Sequence, residues 1–322
     1  MKEWQASGGD SANAAHVVLL GPQRYERTLR PVAEELFPEG PVATVTAGWQ
    51  EWERDDRALD RDLDGRSVNL ELYRRAEHVF QADPELAKAH RHLQTRLRLL
   101  KKAYHTRLEL AYRAWEAVDR IPGDDAVLGP EREAAFQVIR ELDTRHIDRV
   151  SELRAEFERR LRPTERDAVA RQRAEMETIL GSTAALVIEG GHVPVLLNRF
   201  HIFGLTSGLS GRTVVACAGG AMVLAPRVVF FHDSPPQGSS IPEAAEAGVG
   251  LFEGVVVLPD AGRRLELGNR DRVSRLARRF EPYSCIALDG GSRIDWDGSG
   301  WRPGDAGRLT SSGKVERWRA SA

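Results

Sequence analysis

Apolar positions near the start of the chain alternate between strand-like runs and a helical period. A short apolar run over 16–20 leads into Gly21-Pro22, and a second, β-branched run over 42–46 ends in Ala47-Gly48. The stretch between the runs is helical in period, with its apolar positions at Leu29, Val32, Ala33 and Leu36. Strand, glycine turn, helix and strand in this order predict a βαβ unit of a parallel sheet.

The middle of the chain, residues 68–180, has a helical period and interleaved charges that are typical of solvated faces. One apolar stripe consists of Leu93, Leu97, Leu100, Tyr104, Leu108, Ala111 and Trp115. A second consists of Ala135, Ile139, Leu142, His146, Val150, Leu153, Phe157 and Leu161. Breakers at 121–125 and at Gly129-Pro130 lie between the stripes, so an antiparallel helical hairpin is predicted. The long stripe fits the core of that hairpin and a homodimer seam equally well.

The α/β rhythm returns at 184–188, and further strands are predicted at 213–217, 227–231, 254–258 and 285–288. The predicted fold class is α/β, a doubly wound, mostly parallel sheet with a long α-helical hairpin insertion. The predicted divisions are an N-terminal tail (1–15), the first part of the α/β domain (16–67), the helical insertion (68–180), the second part (181–301) and a C-terminal tail (302–322). We expect 16–66 and 184–296 to share one sheet, since each block alone has too few strands. The C-terminal tail is expected to be a surface strand pair or loose.

Composition narrows the function classes. The 322 residues carry 46 Lys plus Arg against 48 Asp plus Glu, a net charge of −2, so no nucleic acid or anionic membrane is expected as partner. Cys217 and Cys285 are the only cysteines and have no zinc-ligand spacing. The sequence has no apolar run of membrane-spanning length, no histidine pattern for a metal and no nucleotide-binding glycine motif. Its first residues contain no apolar run, so we expect no secretory leader. We therefore expect a cytoplasmic protein without cofactor or metal.

Ligands bind at the carboxyl edge of an open parallel sheet. The loops predicted to lie there are 21–24, 48–51, 190–192, 216–220, 232–233 and 259–263. The segment 213–224 has the form of a nucleophile elbow, in which small residues flank a strained strand-to-helix turn. Two registers satisfy this form, one with Ala218 at the tip and one with Cys217. The first is preferred, because the second puts Val215 where a small residue is needed.

These motifs carry a resemblance to a known family. Residues 184–296 resemble the peptidase E and cyanophycinase family of serine peptidases, which has the class I glutamine amidotransferase-like fold. Gly190-Gly191 resembles the family's Gly-Gly loop, and 216–224 resembles its Gly-x-Ser-Ala-Gly-Ala elbow and the helix after it. Residues 248–251 resemble its Gly-Leu-Gly-Leu segment. The run 255–260 resembles its strand ending in Pro-His, and Arg263 resembles the arginine downstream of that strand.

The chain departs from this family at both catalytic positions. Ala218 stands where the resemblance implies the nucleophilic serine, and Asp260 stands where it implies the general-base histidine. A methyl group cannot attack a carbonyl, so the Ser-His mechanism is not expected. Backbone N–H groups around Gly191 and Gly219 can still serve as donors to an anion or carbonyl.

Three functions follow from the sequence. The first is a peptidase E-like protein without serine peptidase activity that binds a small peptide-like or anionic ligand, or binds a protein partner through the helical hairpin. The second is a cysteine-dependent amidase with Cys217 as nucleophile, His192 or His232 as base, and Asp260 or Glu189 orienting it. The third is a scaffold that forms a homodimer through the hairpin. The candidate ligand-binding residues are Gly190, Gly191, Gly219, Gly220, Trp49, Gln50, Glu51, Arg24, His232 and Arg263.

Overall fold

Parallel strands form the centre of the structure, a computed structural model that describes residues 16–233 and 241–319. The strands are β1 (His16–Leu20), β2 (Val42–Val45), β3 (Ser67–Asn69), β4 (Ala185–Ile188), β5 (Thr213–Cys217), β6 (Arg227–Phe230), β7 (Glu243–Ala247), β8 (Val255–Pro259), β9 (Ser284–Leu288), β10 (Arg293–Trp296), β11 (Gly307–Leu309) and β12 (Val315–Arg317). The largest sheet has six strands in the order β10-β1-β5-β4-β2-β3. All its neighbours pair in parallel except the antiparallel β10.

Helices cover both faces of this sheet. They are α1 (Leu29–Leu36), α2 (Arg57–Asp62), α3 (Leu72–Ala82), α4 (Pro84–Asp119), α5 (Asp125–Leu161), α6 (Asp167–Gly181), α7 (Val193–Phe203), α8 (Gly219–Leu224), α9 (Ala261–Arg264) and α10 (Arg270–Phe280). Strand β1 shows why both faces need cover: Val17 and Leu19 enter one apolar cluster, and Val18 and Leu20 enter another. The predicted α/β fold with a mostly parallel sheet and a helical hairpin is confirmed.

The remaining strands lie outside the main sheet. Strands β8 and β9 pair in parallel and continue through β11 to β12, whereas β6 and β7 form an antiparallel pair. The expectation of one shared sheet is therefore met by β1 to β5 and β10, which come from both blocks, but is wrong for β6 to β9. The predicted C-terminal strand pair is β11 and β12. The predicted tail 1–15 lies outside the described residues.

The helical hairpin consists of α4 and α5, which are 36 and 37 residues long. Asp124 caps the start of α5, its side chain accepting a hydrogen bond from the Ala126 N–H. The predicted break at Gly129-Pro130 is wrong, because Pro130 lies near the start of α5, within the helix. Val68 also departs from the prediction, since it belongs to β3 and extends the sheet before the helical region begins. Within residues 16–233 and 241–319, every helix is too short or too polar to span a bilayer.

The hairpin is attached to the α/β body by polar groups of which Arg154 is buried and the others are half-buried. Asn198 of α7 accepts hydrogen bonds through Oδ1 from Gln94 of α4 at 3.0 Å and from Arg154 of α5 at 3.2 Å. Arg154 also forms an ion pair with Glu246 of β7. Because these hydrogen bonds and the ion pair form only when the hairpin packs on the α/β body, they favour one position of both helices against the sheet.

Candidate functional site

The carboxyl ends of the central strands meet in one cluster of loops. Gly190 and Gly191, which follow β4, lie between the loop after β2 and the turn after β5. A Cβ on Gly190 would lie 2.8 Å from the Gly219 nitrogen and 3.4 Å from the Ala218 Cβ. A Cβ on Gly191, whose φ is +107°, would lie 2.5 Å from the Gly48 oxygen. Only glycine permits this approach, so the Gly-Gly loop packs directly on the turn that contains Ala218.

Ala218 has the backbone conformation of a nucleophile elbow. It links β5 to α8 with φ 47° and ψ −112°, a region that costs a non-glycine residue about 1–3 kcal/mol. Its N–H donates to the Leu20 carbonyl at 2.9 Å, which fixes the turn to the end of β1. Gly219 and Gly220 are buried in the first turn of α8 behind it. The side chain held at the tip of this turn is a methyl group.

Cys217 lies beneath the turn, at the end of β5. Its side chain is fully buried with Val18, Leu20 and Trp49 on the α1 and α2 side of the sheet. The thiol donates a hydrogen bond to the Glu189 carboxylate. Burial, together with that carboxylate, raises the pKa of the Cys217 thiol far above its usual range. Burial also raises the pKa of Glu189.

His192 caps α7 and does not contact Cys217 in the described structure. Its ring Nδ1 accepts a hydrogen bond from the Val195 N–H at 3.3 Å, and the backbone N–H of His192 donates to the Gly48 carbonyl at 2.7 Å. The side chain is exposed. The role the structure gives this histidine is therefore that of a helix cap and a tie between two loops.

Asp260 follows β8 in the left-handed conformation, with φ 58°. Its N–H donates to the Leu288 carbonyl at 3.1 Å, and its carboxylate lies 3.9 Å from Arg264 Nε. Asp289, after β9, accepts a hydrogen bond from the Gly262 N–H at 2.8 Å. Burial, with a contribution from Asp260, raises the pKa of Asp289. Among the contacts of the described residues, Asp260 is paired with neither His192 nor Cys217.

Arg24 and Arg263 lie against the same exposed aromatic ring. Their guanidinium carbons lie 5.6 and 5.4 Å from the ring centre of Tyr25, which is 72% exposed. These distances are those of cation–π contacts. The loops after β1 and β8 thus bring two predicted ligand-binding arginines together.

Trp49, Gln50 and Glu51 occupy a short 3-10 helix (Ala47–Trp52) after β2. Trp49 lies beside Gly191, and Gln50 has a strained backbone with φ 60° and ψ −120°. The exposed Glu51 accepts a hydrogen bond from the Tyr73 hydroxyl at 2.8 Å. A backbone hydrogen bond at Glu51 itself, and after it the bond from Tyr73, lower the pKa of Glu51. Of these three residues, Trp49 is the one in contact with the Gly-Gly loop.

His232 follows β6, a strand outside the six-stranded sheet, and is half-buried. The neighbouring Asp233 is buried and accepts a hydrogen bond from Arg272 Nε at 2.6 Å. The hydrogen bond between Asp233 and Arg272 therefore holds residues 232–233 against α10, outside the six-stranded sheet. In the part of the chain that the structure describes, no three histidine, cysteine, aspartate or glutamate side chains group as metal ligands.

Two residues of the edge were not singled out from the sequence. Asp289 follows the predicted strand 285–288 directly, so the rule that polar residues at strand ends form the site could have found it. Tyr25 adjoins Arg24, but the sequence contains no signal that Arg263, more than two hundred positions later, approaches the same ring.

No family model matches the chain, and no curated protein matches it either. One similar solved structure is the crystal structure of a peptidase from an acI-B1 Actinobacterium, with 13% sequence identity and a TM-score of 0.47. The alignment covers 96% of each chain.

Proposed function

We propose that this chain is a peptidase-like protein that has lost serine peptidase activity and binds a small peptide-like or anionic ligand at the carboxyl edge of its sheet. The observation that carries the proposal is Ala218, an alanine in the strained backbone conformation of a nucleophile. An alanine there supplies no atom that can attack a carbonyl, although the turn that would present one is retained. The assignment to the peptidase E and cyanophycinase group rests on the motif resemblance around this turn.

The retained geometry favours a binding role. A strained φ persists only when the surrounding structure holds it, and here the Gly-Gly loop packs on the turn while the Ala218 N–H is bonded to Leu20. We assign the N–H groups around Gly191 and Gly219 as donors to a ligand carbonyl or carboxylate. Arg24 and Arg263, stacked on Tyr25, supply positive charge on the β1 side of this edge.

The environment of Cys217 argues against the amidase alternative. A cysteine nucleophile needs a thiolate, which a neighbouring cation or base stabilises. Cys217 instead has a carboxylate as its hydrogen-bond partner and a raised pKa, and it is fully buried. His192 caps its own helix rather than facing the thiol.

The loss of the serine mechanism is tested with a fluorophosphonate probe, which labels activated serines. The wild-type chain is expected to remain unlabelled. Ala218→Ser combined with Asp260→His restores both residues that the resemblance implies, and we expect it to gain labelling at position 218. The single Ala218→Ser variant is the control for a serine without its base. Labelling of the wild-type chain, or a folded double variant that stays inert, contradicts the proposal.

Ligand binding is tested with a set of dipeptides, Gly-Gly, Asp-Ala and Lys-Ala, by calorimetry. At least one dipeptide should bind to the wild-type chain. The double variant with Arg24→Ala and Arg263→Ala should bind it about tenfold more weakly, as expected for loss of a charge-assisted contact. Arg120→Ala with Arg162→Ala removes two exposed arginines elsewhere and should leave binding unchanged. Equal losses in both double variants would contradict the assigned site.

A further inference from the structure

The outer face of α4 carries apolar side chains that the fold leaves uncovered. Among the described residues, eight large apolar side chains are exposed, and five of them belong to the hairpin and its connection. Two of the five, Leu99 and Leu110, lie on α4 and are 64% and 60% exposed. Eleven residues are about three helical turns, so both leucines are on one face, about 16 Å apart. Tyr104, Leu108 and Trp115 occupy the opposite face and are buried against α5.

Small side chains fill the space between the two leucines. Ala103 and Thr106 lie on the same face and are exposed. Leu99, Ala103, Thr106 and Leu110 are spaced 4, 3 and 4, the spacing of an a/d seam. Small residues at the centre allow another helix to approach closely, while the leucines at either end supply apolar area.

Charges beside the seam specify the direction of a partner helix. Lys102 and Glu109 lie seven residues apart on one flank, where Glu109 also forms an ion pair with Arg113 of the same helix, and Arg107 lies on the other flank; all of these residues are exposed. In an antiparallel pair with a two-fold axis between Ala103 and Thr106, Lys102 of each copy faces Glu109 of the other. A parallel pair would place Lys102 beside Arg107 of the other copy. The charges therefore favour an antiparallel arrangement in which this stretch of α4 pairs with the same stretch of α4 in the other copy.

We propose that a second copy of this chain is the partner of this face, with the two α4 helices antiparallel. In this register Leu99 faces Leu110 of the second copy and Ala103 faces Thr106, each pair occurring twice by symmetry. Such self-complementarity of one patch is the property of an isologous two-fold interface. The seam is short, so we expect a weak dimer, with a Kd on the order of 10 µM.

The interface is tested by sedimentation of the full chain at roughly 100 µM, well above that Kd. Lys102→Glu and Glu109→Lys each convert two attractive contacts into repulsive ones, and each should weaken the dimer about tenfold. The combined Lys102→Glu and Glu109→Lys variant restores both pairs with signs exchanged and should return to near wild-type affinity. Lys88→Glu, on α4 before the paired stretch, is the matched control and should change nothing.

The register is tested by cross-linking. A mixture of Leu99→Cys chains with Leu110→Cys chains should form disulfide-linked dimers between the two variants on oxidation. The native Cys217 and Cys285 are buried and should not compete. Leu99→Cys chains alone should not cross-link. A monomeric wild-type chain, a dimer indifferent to the charge reversals, or cross-linking of Leu99→Cys to itself overturns the proposal.

Discussion

The Arg279 guanidinium binds the Asp143 carboxylate through two hydrogen bonds of 2.7 Å, and both side chains are buried. The Tyr104 hydroxyl donates to the same carboxylate at 2.6 Å and accepts from the Ala244 N–H at 3.1 Å. This network joins α4, α5, α10 and β7. It fixes the middle of the hairpin to the rest of the molecule.

Removing one partner of this ion pair should lower the free energy of unfolding by far more than the intact pair contributes to it. Arg279→Met leaves the Asp143 carboxylate buried without its charge partner, and we expect the free energy of unfolding to fall by about 3–5 kcal/mol. Urea denaturation measures this. Replacing both, with Arg279→Met and Asp143→Leu, should recover much of the loss.

The adjacent Arg278 is the control for this experiment, since its ion pair with Glu133 is exposed. Arg278→Met should change the free energy of unfolding by no more than about 1 kcal/mol. Equal effects at 278 and 279 would mean that burial does not decide the energetics of these pairs.

Cys217 should be unreactive in the folded protein. Its burial and its raised pKa predict that iodoacetamide modifies neither Cys217 nor Cys285 under native conditions below pH 7. Burial raises the pKa of Cys285 to about 12. In denaturant both thiols should react, which mass spectrometry of the alkylated protein would count. Faster native modification of Cys217 than of Cys285 would instead support the amidase alternative.

Ala218→Gly should stabilise the fold. Glycine adopts φ 47° and ψ −112° without the clash that a Cβ produces, so we expect a gain of about 1 kcal/mol in the free energy of unfolding. Ala221→Gly, in the helix that follows, should cost about 1 kcal/mol because its backbone is helical. If both variants lose stability equally, Ala218 is not strained.

His90 should make the protein sensitive to mild acid. Burial lowers its pKa from 6.5 to about 4, with further contributions from Arg199, Arg154 and Arg91. Below pH 6.5 the unfolded chain binds a proton that folded His90 does not, so stability falls as pH decreases toward 4. The loss is about 3 kcal/mol across that interval. His90→Gln should reduce the pH dependence of the unfolding free energy by that amount, and an unchanged pH profile would refute the assignment.

Local patterns were sufficient to predict the Gly-Gly loop and the turn around which the candidate site is proposed. Glycines after buried strands indicated the loops at the carboxyl edge, and small residues around position 218 indicated the elbow. Both signals are local because the turn and the strand end are each specified within a few residues. The pairing of His192 with Val195 is also local, yet the sequence did not distinguish this helix cap from a catalytic base, since a histidine suits either role.

Hydrophobic periodicity by itself determined the α/β class, the parallel β1–α1–β2 unit and the helical hairpin, because each depends on residues close together in the chain. Only the tertiary structure decided that β8 and β9 leave the main sheet, since strand order depends on pairings between distant segments. It also decided the environment of Cys217: the same thiol beside a cation would be a nucleophile, but here it lies buried against Glu189. Solvent access and charge partners set a pKa, and both arise from contacts that sequence spacing does not encode.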